Sequence, residues 1–391
     1  MNNFIRCRIS SLAILTVLFL VWSWQSAQGA VYQLDSGAVN VDRVVAKLKV
    51  PWSIAFLPGC ELLITERRGN LLHFDINGKK TKISHNLKIY SEGQGGLLDV
   101  VVAGDFNNTR EIFLSYSANN QNRLIGTSVS RGILASNNKE LQNVAEIFEM
   151  VPGNKGDRHF GSRIVENSDG TLFITLGERG ERESSQDLGS HHGTVVRINT
   201  DGSIPEDNPF VNRVGALPEI WTYGHRNPQG ADLDLDGNLV ISEHGPRGGD
   251  EVNLVLRGKN YGWPVIGYGT HYSGQKIGVG TKNEGMEQPK FYWDPSIAPS
   301  GLMVYSGKLW PEWRGHIFVG SLKFDYISRI DPGADYQEVE QITLPETKRV
   351  RDVREAPDGS VWFISEDRGS VYRLLPEDYS AAGETCSYNT Q

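Results

Sequence analysis

Apolar residues in this chain come in short runs separated by polar turns. The runs are rich in Val, Ile, Leu and aromatic residues, and Asp-Gly or Asn-Gly pairs bound many of them. Such pairs favour tight turns between strands, because Asn, Asp and Gly tolerate the positive φ angles that these turns require. Long segments with the 3.6-residue period of an amphipathic helix are missing from the sequence. The pattern therefore predicts an all-β fold.

A unit of one turn and one strand recurs along the chain. Clear copies lie at residues 58–66, 169–175, 236–243 and 358–366, and weaker copies lie at residues 110–116 and 315–321. Six units at intervals of roughly 45 to 80 residues are typical of four-stranded blades with insertions. The predicted fold is a six-bladed β-propeller of four-stranded antiparallel blades. A two-sheet sandwich is the alternative, but it is rarely this long and does not require a recurring unit.

The start of the chain has the order of a secretory signal. Arg6 and Arg8 precede an apolar run at residues 12–24, and small residues follow at 27–29. The run has about 13 residues, whereas a helix that crosses a bilayer needs about 20. We therefore predict a signal peptide at residues 1–29, a periplasmic or secreted location, and no stable membrane insertion.

Composition adds limits on partners and on domain number. The full chain has a net charge of −8, and without the two leader arginines 37 basic residues face 47 acidic ones, a net charge of −10. This acidic balance disfavours nucleic acid as a partner. Residues 30–391 contain no Pro/Ser-rich linker and no shift in charge, so we predict a single propeller domain there.

Three cysteines are present, and Cys7 belongs to the predicted leader. Cys60 and Cys386 remain in a chain expected to enter an oxidising compartment. A disulfide between them would tie the start of the ring to its tail and restrict the unfolded chain. Two buried, unpaired thiols are the alternative, and the sequence leaves both open. An uncleaved anchor or a lipidated Cys7 is the alternative to a cleaved leader.

Glycine-flanked polar clusters interrupt the strand pattern. They are too polar for strand interiors, so we expect them in loops, and loops at one end of a propeller converge on a single mouth. The clusters are GQGGLL at 93–98, DRHFGSR at 157–163, WTYGHRNPQG at 221–230, SEHGPRGGDE at 242–251, SLK at 321–323 and KRVRD at 348–352.

Three side chains in these clusters suit acid–base and oxyanion chemistry. His159 has a near-neutral intrinsic pKa, which suits removal of a proton from a hydroxyl. Arg226 and Asn227 offer a guanidinium and an amide side by side, a good pair for anionic or carbonyl oxygens. A structural histidine and a salt-bridged corner are the corresponding alternatives.

A second group of residues suits charged ligands. Arg349 and Arg351 lie two residues apart, on one face of a predicted strand, and with Arg226 and Lys323 they suggest a polyanionic ligand. A solvated strand face is the alternative. The turn at 242–251 offers free carbonyls and carboxylates, which suit Ca²⁺. Zinc and nucleotide cofactors are disfavoured, because paired cysteines, an HExxH motif and phosphate-binding glycine loops are absent from the sequence.

Seven strings in this order resemble the soluble pyrroloquinoline quinone (PQQ)-dependent glucose and aldose sugar dehydrogenase family, from about residue 51 to residue 375. The strings are PW and AFLP within 51–58, GQGGLL at 93–98, HFG at 159–161, GHRNPQG at 224–230, SEHGPRGGDE at 242–251, NYGWP at 260–264 and RVRDV at 349–353. The resemblance implies a PQQ- and calcium-dependent oxidoreductase. Its reaction would oxidise the anomeric carbon of an aldose to an aldonolactone by hydride transfer to the quinone.

The resemblance also implies roles for individual residues. His159 matches the general base, and Arg226 and Asn227 match the pair beside the quinone carbonyls. Residues matched to PQQ binding are Gln94, Arg226, Asn227, Lys323, Arg349 and Arg351. Residues matched to calcium are Gly245 and Pro246, through their carbonyls, for the cofactor ion, and Glu251 and Tyr261 for a second, structural ion.

Two departures from the family pattern limit how far residue roles of the family can be transferred to this chain. Arg158 stands directly before His159 where the glucose-specific branch has an Asp, so the string is more similar to the aldose branch. The segment at 292–296 matches only loosely the family stretch that packs an aromatic ring on the cofactor, so Trp293 is a poor match for that role. The preferred aldose does not carry over.

Other functions remain open at this stage. A calcium-dependent propeller lactonase would need carboxylates that converge on the metal, whereas the candidate set is rich in Arg and Lys. A non-catalytic sugar- or protein-binding propeller would not need His159, Arg226 and Asn227 together. The expected partner is an aldose substrate. The electron acceptor is unknown, and both monomer and homodimer are open.

Overall fold

The computed structural model describes residues 30–119 and 124–379. In these ranges 25 β-strands form six antiparallel sheets that are arranged as the blades of a propeller. The fold is therefore the predicted six-bladed β-propeller. The first strands of successive blades contact one another around the ring, so they line the central channel.

The strands follow one another regularly along the chain. After β1 (Ala30–Leu34) and β2 (Gly37–Val45), blade 1 contains β3 (Pro51–Phe56), β4 (Leu62–Glu66), β5 (Asn70–Phe74) and β6 (Lys80–Ile83), and blade 2 contains β7 (Leu97–Val102), β8 (Glu111–Asn119), β9 (Ile125–Leu134) and β10 (Leu141–Glu149). Blade 3 contains β11 (Gly161–Glu166), β12 (Thr171–Leu176), β13 (Thr194–Asn199) and β14 (Ile220–Tyr223), and blade 4 contains β15 (Pro228–Leu233), β16 (Leu239–Glu243), β17 (Asp250–Leu254) and β18 (Phe291–Trp293). Blade 5 contains β19 (Pro299–Val304), β20 (Ile317–Ser321), β21 (Ile327–Asp331) and β22 (Gln337–Ile342), and blade 6 contains β23 (Val350–Glu355), β24 (Val361–Ser365) and β25 (Ser370–Pro376). Helical segments are α1 (Phe106–Thr109) and 3₁₀ turns at Pro58–Cys60, Arg182–Gln186, Pro311–Trp313 and Pro332–Ala334.

Strands from both ends of the described chain share blade 6. Its strand order is β1-β2-β25-β24-β23, and β2 pairs with β25 in antiparallel register, with Val41 opposite Leu374. The ring is therefore closed by main-chain hydrogen bonds between the beginning and the end of the propeller.

The recurring unit of the sequence is the second strand of each blade. The six copies correspond to β4, β8, β12, β16, β20 and β24. Their apolar side chains are buried between neighbouring blades, as Ile64, Ile174 and Ile364 illustrate. Each second strand ends opposite the start of the first strand of its own blade, for example Glu243 opposite Pro228. One end of the propeller therefore collects the residues that precede first strands and follow second strands.

Buried ion pairs join the first strands near the axis. Arg163 of β11 lies 2.9 Å from Asp99 of β7 and 3.2 Å from Asp352 of β23. Arg354 contacts the same two carboxylates at 3.1 Å each. An unpaired charge inside a protein is costly, so this network fixes blades 2, 3 and 6 relative to one another.

Some sequence predictions fall outside the part of the chain that the structure describes. The signal peptide at 1–29 and Cys386 both lie there, so the leader and the Cys60–Cys386 pairing stay predictions. Cys60 itself is disulfide-bonded. Across residues 30–119 and 124–379, no helix has the length and apolar character needed to cross a bilayer.

Replacing Asp99 with Asn tests the axial network. The variant leaves Arg163 and Arg354 buried with one carboxylate fewer, so we expect the free energy of unfolding to fall by about 3 to 5 kcal/mol in urea denaturation. The control is Glu183→Gln, which breaks an exposed 2.9 Å pair with Arg182 and should change stability by less than about 1 kcal/mol. Similar effects of the two substitutions would contradict the assignment.

Candidate active site

The end of the propeller that collects these loops contains a cavity of about 590 Å³. We call it the mouth cavity. Its lining comprises residues 244–248, 268–270, 272, 294–296, 298 and 323. It therefore includes the predicted cluster at 242–251 and the predicted Lys323, which lie in different blades.

His159 and Glu178 form a hydrogen-bonded pair at this end of blade 3. Nδ1 of His159 contacts Oε1 of Glu178. Because a carboxylate only accepts, the proton in this bond belongs to Nδ1, and Nε2 keeps a lone pair that can take a proton. Burial lowers the pKa of His159, Glu178 opposes this shift, and the positive charge of Arg226 adds to it. The net pKa lies below the ordinary value of 6.5, so the ring is neutral at neutral pH.

Neighbouring loops hold His159 in an unusual backbone conformation. Its φ of 54° lies in the left-handed region, which is unfavourable for a residue with a side chain. Its N–H donates to Oε1 of Gln94 at 2.8 Å, and the N–H of Gly161 donates to Oδ1 of Asn227 at 3.1 Å. A Cβ at Gly177 would lie 2.0 Å from the carbonyl oxygen of His159, so the close approach requires glycine there. Gln94 and Asn227 thus support the His159 loop directly.

Arg226 is buried beside the turn that follows β16. Its N–H donates to Oε2 of Glu243 at 2.7 Å, and its Nη1 donates to the carbonyls of His244 and Gly245 at 3.1 and 3.0 Å. The adjacent His225 is fully buried, and its Nδ1 contacts Oε1 of Glu243 at 2.8 Å. The guanidinium of Arg226 therefore contacts one of the two predicted calcium carbonyls, that of Gly245, whereas His225 holds the carboxylate of Glu243.

Arg349 and Arg351 share one carboxylate, but the predicted common strand face is not the reason, because Arg349 precedes β23 with a φ of 47° and the register of β23 shifts between Val350 and Asp352. Nε of Arg349 lies 2.9 Å from Oε1 of Glu366, and Nε of Arg351 lies 2.6 Å from Oε2. Burial alone would raise the pKa of Glu366, but the two guanidinium groups hold it at about 2. Nη1 of Arg349 also donates to the carbonyl of Leu322, next to Lys323, at 3.2 Å. We call Arg349 and Arg351 the basic comb, and the contact with Leu322 connects this comb of blade 6 to blade 5.

His244 connects these groups around one centre. Burial lowers the pKa of His244 well below the ordinary value, and the neighbouring Arg226, His159 and Arg351 lower it further. His244 also lines the mouth cavity together with Lys323. His159, Arg226 and Arg351 therefore lie close to a residue that lines the mouth cavity, whereas Lys323 is the one residue predicted to bind PQQ that is itself part of the described cavity lining.

The carboxylates that hold these groups were not assigned a role from the sequence. Each lies at or just beyond the end of a second strand: Glu66, Glu178, Glu243 and Glu366. Glu66 accepts the N–H of Lys49 at 2.6 Å in blade 1, and the other three hold His159, Arg226 and the comb. The sequence contained a signal for three of these carboxylates, because three copies of the recurring unit end in Glu, at positions 66, 243 and 366.

Trp293 does not line the mouth cavity. It is buried in β18, and its Nε1 donates to Glu338 of blade 5 at 3.1 Å. Its predicted poor match to a cofactor-stacking role agrees with this position. Arg158 is exposed, and its carbonyl accepts a hydrogen bond from the buried Arg179.

The glucose/sorbosone dehydrogenase family model matches residues 48–373, a range that includes every candidate site residue above. The chain belongs to the glucose/sorbosone dehydrogenase family. It is therefore a sugar dehydrogenase, in agreement with the predicted resemblance.

Relatives of known name show how far the similarity extends. Aldose sugar dehydrogenase YliI of Escherichia coli (strain K12) is 41% identical over 347 residues, which cover 87% of this chain and 94% of the relative. The crystal structure of the soluble aldose sugar dehydrogenase from Escherichia coli in the apo-form has a TM-score of 0.83 at 40% identity and covers 87% of this chain and 100% of that chain. Quinoprotein glucose dehydrogenase B of Acinetobacter calcoaceticus is 28% identical over 429 residues, covering 86% of this chain and 89% of the relative.

The mouth of this sugar dehydrogenase fits a hard cation at Gly245 and Pro246. Both residues line the mouth cavity, and the carbonyl of Gly245 accepts one hydrogen bond from Nη1 of Arg226, which leaves its second lone pair for a cation. Backbone carbonyls are ligands that Ca²⁺ accepts. In the described ranges no group of three or more His, Cys, Asp or Glu side chains is placed to hold a metal ion, so carbonyls would have to supply much of any coordination.

The second predicted ion site has a different character. Glu251 and Tyr261 line a small cavity of about 20 Å³ with Glu243, about the size of one water molecule or ion, and Gly245 and Pro246 line both this cavity and the mouth cavity. Burial, and then repulsion by Glu243, raises the pKa of Glu251 to about 8. Nδ2 of Asn253 donates to both carboxylates, at 3.0 and 3.1 Å, and carboxylate oxygens held this close together suit a divalent cation. The phenol of Tyr261 donates to the carbonyl of Leu254 at 2.6 Å and accepts from the N–H of Leu256 at 2.8 Å, so it is already engaged with the backbone.

The pKa of Glu366 predicts a pH-dependent contribution to stability. Its folded value of about 2 lies below the ordinary 4.5, so the stabilisation is complete above pH 4.5 and is lost as the pH falls towards 2. We expect the stability advantage of the native chain over Glu366→Gln to shrink by about 1 kcal/mol between pH 7 and pH 4 in urea denaturation. An advantage that does not change with pH would contradict the shared carboxylate.

Proposed function

We propose that this sugar dehydrogenase oxidises the anomeric carbon of aldoses to aldonolactones with PQQ and Ca²⁺ in the mouth cavity. The observation that carries the proposal is that His159, Arg226 and Arg351 lie close enough to His244 to influence its pKa, and that His244 lines the mouth cavity together with Lys323. A quinoprotein glucose dehydrogenase and an aldose sugar dehydrogenase among the relatives support the same chemistry. The chain would act in the periplasm or outside the cell if residues 1–29 are a cleaved leader, with residues 30–391 as its single domain.

The charge balance of the mouth suits a ligand with several carboxylates. Arg349 and Arg351 share the single negative charge of Glu366, so one positive charge remains there. Lys323 donates to the carbonyl of Ser296 at 3.2 Å, which leaves its charge uncompensated by that contact. A guanidinium has five N–H donors, so both arginines retain donors for carboxylates of PQQ.

The side chains around the cavity divide the work of the reaction. PQQ, when bound, supplies the two-electron acceptor that an aldose oxidation requires. His159 would take the proton of the anomeric hydroxyl on Nε2, and Glu178 would stabilise the imidazolium that forms. Arg226 would stabilise negative charge that develops on neighbouring oxygens, since it is buried and its guanidinium is already oriented by the carbonyls of His244 and Gly245. Gln94 and Asn227 would hold the base loop in place.

Reconstitution tests this proposal together with the role of His159. Apo-protein would be incubated with PQQ and Ca²⁺ and assayed with glucose and other aldoses and an electron-accepting dye. We expect cofactor-dependent dye reduction, and we expect His159→Ala to reduce kcat by on the order of 10² to 10⁴ because the base is lost. PQQ affinity of the variant should stay within about 3-fold of the native value, since His159 carries no positive charge at neutral pH.

No dye reduction with any aldose would reject the proposed reaction. An equal loss of PQQ affinity and kcat in the His159 variant would reject its role as a base.

Arg351→Ala tests the cofactor-binding comb. Loss of a charged donor to a PQQ carboxylate should weaken PQQ binding by about 10- to 100-fold in fluorescence titration of apo-protein. The matched control is Lys348→Ala, which removes the same charge from the exposed 3.0 Å pair with Asp325 and should change affinity less than about 2-fold. Equal changes of PQQ affinity in the two variants would contradict a role of Arg351 in cofactor binding.

A further inference from the structure

Arg179 directly follows Glu178, the partner of the candidate base, and its side chain is almost fully buried. Arg179 is 1% exposed, and burial lowers its pKa to about 9, so the guanidinium still carries its charge at neutral pH. Within the described residues, its hydrogen bonds go to main-chain carbonyls and not to a carboxylate. A buried charge without a carboxylate partner is costly. The contacts that the guanidinium makes must therefore compensate this cost.

The guanidinium of Arg179 contacts the chain on both sides of His159. Its Nη1 donates to the carbonyl of Arg158, and its Nη2 donates to the carbonyl of Gly156. Its Cζ lies 3.4 Å from the centroid of the Phe160 ring, which is itself buried. A planar guanidinium can donate hydrogen bonds in its plane and pack an aromatic ring on its face at the same time. One side chain therefore holds the residues immediately before and after the base.

These contacts fix the peptide group that joins Arg158 to His159. Arg179 holds the carbonyl oxygen of this group, and Gln94 accepts its N–H at 2.8 Å. The φ of His159 is the rotation that follows this peptide group, and its value of 54° is unfavourable for a residue with a side chain. Strained conformations persist only where the surrounding structure holds them on several sides. The conformation that brings the ring of His159 to Glu178 thus depends on both contacts.

Arg179 is itself held in place by the same loop. Its φ of 59° also lies in the left-handed region. Nδ2 of Asn154 donates to its carbonyl at 2.8 Å, and Oδ1 of Asn154 accepts the N–H of Gly156 at 2.9 Å. A Cβ at Gly156 would lie 2.7 Å from the carbonyl oxygen of Arg179, so the close approach requires glycine there. The main chain and the side chain of Arg179 therefore form one unit with the loop at 156–160.

We infer that Arg179 is a positioning residue for the reaction, which holds the loop at 156–160 so that His159 stays against Glu178. Because Arg179 is buried, it would act through His159 and not by contact with the substrate or PQQ. The inference rests on the proposed function, because that function makes His159 the base. The alternative is a guanidinium that stabilises the fold without setting the geometry of the base.

Arg179→Lys separates these two roles, because lysine keeps the positive charge but has no planar group that can hold both carbonyls and pack on Phe160. With reconstituted enzyme and dye, we expect kcat to fall by about 10- to 100-fold, since a base displaced by about 1 Å loses much of its effect. KM for glucose and PQQ affinity should stay within about 3-fold of the native values. The matched control is Arg182→Lys, at an exposed arginine three residues along the chain, which should change each value less than about 2-fold.

The pKa of His159 gives a readout that does not depend on turnover. Burial has the largest influence on this pKa and lowers it. The groups that face the ring are one carboxylate, two guanidinium groups and one neutral imidazole: Glu178, Arg226, Arg158 and His244. Arg179→Lys changes none of these groups and keeps a positive charge at position 179. A shift of the pKa in this variant would therefore report a movement of the ring.

The titration is done by NMR on histidine-labelled apo-protein, and His159→Ala identifies the signal by its loss. A loosened loop exposes the ring to water, so we expect the pKa of His159 to rise towards 6.5 in Arg179→Lys and to stay unchanged in Arg182→Lys. If Arg179→Lys does not fold, Phe160→Leu removes the ring that packs on the guanidinium and should shift the pKa in the same direction.

A rise of the pKa together with a loss of kcat would support the positioning role. An unchanged pKa of His159 in a folded variant, or equal losses of kcat in Arg179→Lys and Arg182→Lys, would overturn it. If the native enzyme reduces no dye with any aldose and the pKa still rises in Arg179→Lys, the proposed reaction fails, whereas the placement of His159 by Arg179 is upheld.

Discussion

The active end of this propeller depends on one repeated interaction between a buried carboxylate and the loop opposite it. In blades 3, 4 and 6, a Glu at or just beyond the end of the second strand holds the residues that precede or begin the first strand. Glu178 holds His159, Glu243 holds Arg226, and Glu366 holds the two arginines of the comb. The loops themselves are rich in glycine and would not fix these side chains alone. The antiparallel register of each blade thus places base and cations together.

The same carboxylates explain how charged groups are kept in a largely buried site. Burial disfavours a charged side chain unless a partner compensates it. Glu366 remains ionised because two guanidinium groups face it, whereas Glu251, which faces Glu243, has a raised pKa. The pKa of His159 is subject to both influences. Burial and Arg226 lower it by more than Glu178 raises it, so the ring is kept neutral. Different local environments at one end of the propeller therefore produce a neutral base, a set of paired cations and a candidate cation site.

The sequence predicted the blades because each second strand is a local signal. A turn followed by an apolar run is repeated within about ten residues, so no distant contact is needed to recognise it. The polar clusters were predicted to converge because they could not be strand interiors, and the mouth cavity contains two of them. Partnerships across a blade were missed, because Glu178 and Glu366 lie 19 and 17 residues from His159 and Arg349. Only the register of β11 with β12 and of β23 with β24 makes these pairs neighbours.

Other features have no local signal at all. Asp99 and Arg163 are single charges within apolar strands, and their pairing depends on how first strands from different blades meet at the axis. Tyr292 of blade 4 and Phe324 of blade 5 likewise line one cavity, although they are 32 positions apart in the printed sequence. Trp293 was considered for the mouth because its segment loosely resembled a family string. Strand alternation instead places it against Glu338.

A crystal structure of the protein soaked with PQQ and Ca²⁺ would test the account most directly. We predict electron density for the quinone in the mouth cavity, with its carboxylates on Lys323, Arg349 and Arg351 and a cation at the carbonyls of Gly245 and Pro246. Density at another site, or a quinone in the mouth without contact to these basic side chains, would contradict the central claim that carboxylate-held cations form the cofactor site.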